Sequence, residues 1–69
     1  MFILNWIYIC YDGTHISNGY FAGANKKYSD MFNLVPFKEY AYKFDNETDA
    51  IIMRQRLNKN GYNFIVEKV

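Results

Sequence analysis

A chain of 69 residues with a formal charge of +1 has room for one domain with one small core. Its interspersed acids and bases exclude a protein that works mainly by neutralising phosphates or by a polybasic hold on a membrane. The single cysteine, Cys10, excludes an intrachain disulfide and suits a reducing compartment, so a cytoplasmic protein is expected.

Seven tyrosines, six phenylalanines and one tryptophan are more rings than a core of this size encloses. Each covers roughly 150–250 Å² when buried. The surplus is expected at the surface, where subunit contacts and binding sites concentrate.

The segment 2–11 carries Phe2, Leu4, Trp6, Tyr8 and Cys10 on one face and Ile3, Ile7 and Ile9 on the other, with Asn5 as the polar interruption. This pattern predicts a strand covered on both sides. It lacks the basic start and small-residue cleavage site of a signal peptide, and it is too short to span a bilayer as a helix. One helix covers only one face of a small sheet. A loop, sheet curvature or a second subunit must close the other, so Ile3, Ile7 and Ile9 are candidate oligomer-interface residues.

Asp12-Gly13 predicts a two-residue type I′ hairpin turn, with Tyr11 opposite Thr14 and Cys10 opposite His15, and a hairpin over 2–22. Gly19 and Gly23 mark a bulge, a bend or a second turn, and Lys26, Lys27 and Tyr28 a further short strand. The apolar residues of 29–38 show no period, and Pro36 bars a central strand. An irregular loop packed on the sheet is expected there, with Ser29 capping one helical turn through Phe32. Tyr40, Tyr42 and Phe44 then alternate with Ala41 and Lys43, which predicts a strand over 39–44.

Local signals are clearest in the last third. Asp45 and Asn46 are both good N-caps, and with Asn46 as the cap Glu47 and Asp49 fall in the first turn, where negative charge meets the positive end of the helix dipole. Asn60-Gly61 stops the helix, and Arg54, Arg56 and Lys59 lie toward that end. The helix is predicted over 46–59, with Ala50, Met53 and Leu57 on one face and Ile52 nearly opposite. Ile52 is either an isolated exposed side chain or a contact with a second copy. Tyr62, Phe64 and Val66 alternate with Asn63, Ile65 and Glu67, predicting a closing strand over 62–68 with its rings on the helix. The expected fold class is α+β, a small antiparallel sheet of about three to five strands packed on one helix.

Chemistry-bearing residues are few. A Cys10–His15 pair is geometrically possible across the predicted turn, but an orienting carboxylate and an oxyanion site are lacking, so a non-enzymatic protein is expected. Zinc wants four soft or nitrogen ligands, and Gly13, Gly19 and Gly23 do not form a phosphate loop before a helix. No cofactor is implied. Tyr20, Phe21, Lys26, Lys27 and Tyr28 interleave rings with lysines in the manner of a single-stranded nucleic-acid module, against which the near-zero net charge weighs.

The run Tyr42-Lys43-Phe44-Asp45-Asn46-Glu47-Thr48-Asp49-Ala50, with Leu57, Asn60-Gly61-Tyr62 and Val66, resembles short proteins encoded by phages and prophages of Gram-positive bacteria. Gly19-Tyr20-Phe21 and Lys27-Tyr28-Ser29 look like them too. Half of the peptidoglycan-binding sporulation-related repeat has a comparable run, but its second half is missing here. The phage resemblance implies a binding protein in the cytoplasm of an infected host, acting against host defences. Such a protein would inhibit a host protein by contact, or sequester a nucleotide signal between rings and cations. Candidate contacts are Trp6, Tyr20, Lys26, Lys27, Tyr28, Arg54 and Arg56; self-association is expected, with Ile3, Ile7, Ile9 and Ile52 as the interface.

Overall fold

Among the described residues, the first strand, β1 (Phe2–Ile9), lies inside a four-stranded antiparallel sheet. It is flanked by β2 (His15–Ala24) on one side and β4 (Phe64–Lys68) on the other, with β3 (Phe32–Val35) outside β2. The helix α1 (Glu47–Lys59) completes the α+β fold. The computed structural model describes residues 1–24 and 32–69.

Both ends of α1 follow the sequence. The Asn46 side chain accepts from the Asp49 backbone N–H at 2.9 Å. At the other end the Tyr62 N–H reaches the Leu57 carbonyl and the Gly61 N–H the Asn58 carbonyl, the paired bonds of a Schellman stop. Ala50 and Leu57 are buried and Met53 packs beside them, while Ile52 is exposed on the outer side.

Register assigns the two faces of the sheet. Trp6 lies opposite Phe64 and Leu4 opposite Val66, and these side chains meet α1 in one cluster with Phe21 and Phe44. On the opposite face lie Ile3, Asn5, Ile7 and Ile9, with Ser17 and Tyr20 of β2 and Ile65 and Glu67 of β4 as cross-strand neighbours.

Three expectations are corrected. The turn is not a two-residue type I′ turn: Asp12 lacks the positive φ that type requires,. Instead the Gly13 N–H bonds to the Cys10 carbonyl at 2.9 Å, Gly13 takes φ 88°, and the Cys10 N–H bonds to the Thr14 carbonyl. Ile9, not Cys10, therefore faces His15. The Asp12 carboxylate holds this longer loop by accepting from the Thr14 N–H and hydroxyl.

The 39–44 strand is absent. A 3-10 turn, η1 (Lys38–Tyr40), stands at its start, and only Phe44 bridges, exchanging both backbone bonds with Phe2. The alternation breaks there, with Ala41 and Phe44 buried and Tyr40 and Tyr42 exposed. The reason is space, since β2 already pairs with β1 from Asn5 upward and one residue beside Phe2 fills the slot left below it. Conversely, 32–35 within the expected loop is a strand paired to β2. Pro36 follows it directly, as an edge strand permits.

The irregularity at Gly19 is a bulge: Trp6 faces Gly19 and Ile7 faces Ser17, leaving Asn18 as the extra residue. Gly19 has φ 134°, and a Cβ there would lie 3.3 Å from the Val35 carbonyl.

The face away from the helix is closed at its lower end by the 36–41 segment. There η1 packs against β2, Lys38 pairs with Glu67 at 3.4 Å, and Ile3 is fully buried. The buried Asn5 amide donates to Glu67 at 2.6 Å and accepts from the Ser17 hydroxyl at 2.6 Å. The lysine pair alone, half-exposed, contributes little, so the buried amide is the member that matters. Asn5→Ala is expected to lose about 1–3 kcal/mol, because it strands partners in a part-buried setting. Urea titration checks this; an unchanged midpoint would show that the network is idle.

Candidate interaction surface

β4 accompanies β1 only as far as Trp6, with one further bond from the Ile7 N–H to the Asn63 carbonyl. Beyond that point, among the described residues, β1 is paired with β2 alone. The upper hairpin therefore extends past the end of β4 as a two-stranded arm.

This arm exposes apolar side chains on both faces, with His15 opposite Ile9 on the side away from the helix. Tyr8 and Ile16 stand opposite one another on the helix side of the sheet, 62% and 54% exposed. Ile9 is 54% exposed on the other side, and Tyr11 at the tip is fully exposed. No charged side chain occurs from Phe2 to Tyr11. The nearest carboxylate, Asp12, is held by Thr14, and those two hydrogen bonds lower its pKa from the ordinary 3.8. Because the folded value is depressed, the turn's contribution is present above the ordinary value and is lost as pH falls through the lowered one. An NMR titration of the Thr14 amide is expected to show its midpoint below pH 3.8,.

The residues singled out from sequence fall in separate places. Trp6 meets Tyr62 edge-to-face at 5.2 Å and Phe64 at 6.2 Å, so it is part of the packing over α1. Tyr20 is half-buried on the opposite face beside Asn5. Arg54 is half-buried, its Nε enclosed and without a hydrogen-bond partner among the described residues. Arg56 is exposed and, two residues on, points to another side of the helix. Lys26, Lys27 and Tyr28, with the Ser29 cap, lie outside the described residues.

Of the expected interface residues, Ile3 and Ile7 are buried within the chain, 0% and 5% exposed. Ile9 and Ile52 are exposed, but on opposite sides of the molecule: one on the sheet face away from α1, the other on the helix's outer side. They do not form one patch.

Cys10 and His15 do not pair. Thr14 is the partner of Cys10, and the one-residue shift puts Cys10 and His15 on opposite faces of the hairpin. Among the described residues no group of three or more His, Cys, Asp or Glu is arranged to hold a metal. No helix there is long and apolar enough to cross a membrane.

Residue type alone does not mark Tyr8, Tyr11 and Ile16. The signal that finds them is relative length. An uncharged β1 runs to Ile9, whereas its helix-side partner strand is five residues long. Comparison with protein-family models, with curated proteins and with solved structures finds no match to this chain.

Proposed function

We propose that this chain is a non-enzymatic binding protein of phage type, which acts in the cytoplasm of an infected bacterium by inhibiting a host protein through direct contact. The observation that carries the reading is the overhanging hairpin, where Tyr8, Ile9, Tyr11 and Ile16 expose apolar surface in a stretch almost free of charge. Rings and β-branched side chains set on a paired ladder lose little conformational entropy on docking. Exposed apolar side chains set side by side across a ladder, as Tyr8 and Ile16 are, mark an interaction site.

Sequestration of a nucleotide signal is the weaker reading. Its proposed stacking ring Trp6 is engaged with Tyr62 and Phe64, and Arg54 and Arg56 do not converge. A single-stranded nucleic-acid module is weakened in the same way, since Phe21, Phe32 and Phe64 pack on one another.

The test is co-purification from a bacterial host, read by mass spectrometry for proteins and small molecules, with the wild-type chain and with Tyr8→Ser/Ile16→Ser. The reading expects one host protein, captured by the wild type and lost with the variant. Capture unaffected by the variant, recovery of a nucleotide alone, or a salt-dependent gel shift with single-stranded DNA would each overturn it.

A further inference from the structure

We infer that the free edge of β1 at Ile9 is a pairing site for a second copy of this chain, joined antiparallel about a two-fold axis through Ile9. This rests on the reading of the overhanging hairpin as the contact element and names what that element assembles with first.

Backbone direction supports it. Met1 and Val69 exchange both N–H···O=C bonds, and the Ile7 N–H bonds to the Asn63 carbonyl. Odd-numbered residues of β1 therefore turn their backbone groups toward the β4 side, while Cys10 turns its own toward Thr14,. Continuing the β1–β4 register would place Gly61 opposite Ile9. At Gly61, however, the chain is turning out of α1 with φ 94° and its N–H bonded to the Asn58 carbonyl. The N–H and C=O of Ile9 therefore have no strand beside them among the described residues.

The other two sheet edges are treated differently. On β4, the Asn58 side chain accepts from the Phe64 N–H at 2.8 Å and donates to the Phe64 carbonyl at 3.3 Å, filling the place of a neighbouring strand. Further along that edge stand Glu67 and Lys68. β3 has four residues and ends at Pro36. Short length, charge and proline are the usual means of blocking strand addition, and β1 at Ile9 has none of them.

Self-pairing also fits the side chains. Centred on Ile9, an antiparallel copy sets Ile9 against Ile9 and Tyr8 against Cys10. The pairing ends there, because the Ile7 N–H is already bonded to the Asn63 carbonyl and Tyr11 lies in the turn. Every pair is apolar or uncharged, and the same patch serves both copies, as an isologous interface requires. The two hairpins then join along the short stretch around Ile9, and the Tyr8/Ile16 surfaces of the copies lie side by side on one face.

Sedimentation equilibrium on the full chain tests this. The expected result is twice the 8.2 kDa chain mass for the wild type and for Ile52→Lys, and a return to single-chain mass for Ile9→Lys and Ile9→Pro. Lysine at the axis sets two like charges together. Proline removes the outward N–H, which β2 does not use, so both variants keep the hairpin's internal bonds; circular dichroism confirms that they fold. In a Cys10→Ser background, Ile9→Cys is expected to form a disulfide-linked dimer on mild oxidation, and Ile52→Cys is not. A wild type that stays at single-chain mass, or a dimer unchanged by both Ile9 variants, overturns the proposal. Neither result touches host-protein capture by the Tyr8/Ile16 surface, so the two readings fail separately.

Discussion

Replacing Phe21 by alanine is expected to unfold most of the molecule. Phe21 is 1% exposed, and its ring centroid lies 6.1–6.4 Å from those of Phe32, Tyr42, Phe44 and Phe64. Among the described residues it is the one ring in contact with β3, β4 and the 42–44 segment together. Truncating a buried phenylalanine costs about 3–5 kcal/mol, part transfer and part cavity. A domain of this size has little more than that in total, and each kcal/mol lost lowers its melting temperature by about 4–8 °C. Phe37→Ala serves as the control, because its ring is 60% exposed, and it is expected to melt close to the wild type. Thermal denaturation of the pair followed by circular dichroism decides the matter. Similar losses for both would mean that Phe21 is not the hub of the core.

The second prediction concerns Asn58, whose amide closes the outer edge of β4 at Phe64. Asn58→Ala removes both hydrogen bonds and is expected to cost about 1–2 kcal/mol. Asn58→Asp is the sharper variant. It preserves shape and the acceptor for the Phe64 N–H, yet sets a carboxylate oxygen against the Phe64 carbonyl where a donor stood. It is expected to lose as much as the alanine variant, with faster hydrogen exchange at the Phe64 amide for alanine than for aspartate. Both variants are also expected to aggregate sooner on heating, since an unpaired edge invites strand addition. An aspartate variant as stable as the wild type would show that the contact to the carbonyl contributes nothing.

These two sites differ in how far they can be read ahead of the structure. That Phe21 is apolar and lies on a strand is plain from the return arm of the hairpin, but its central place depends on β3, which the irregular apolar run before Pro36 conceals. Asn58 reads as an ordinary polar residue near the end of a helix. Its role exists only because the Schellman stop turns the chain back so that Phe64 passes beside it.

The hairpin arm shows the same division. Asp12-Gly13 is compatible with a loop of two residues or of three, and the Asp12 side chain selects three by binding Thr14. That single residue of register separates Cys10 from His15 and turns the Ile9 backbone outward.

The amino-acid sequence alone determined the helix and both of its caps, the existence of the hairpin, the closing strand and the excess of apolar surface. Each of these depends on residues within one turn or one period of each other. The tertiary structure decided where the excess is hidden and where it shows. Ile3 and Ile7 are enclosed because distant segments of the chain pack around them, whereas Tyr8, Ile9 and Ile16 stay open because β4 and its helix end before reaching them. Pairing between segments remote in sequence is set by competition for backbone partners, and no local pattern records its outcome.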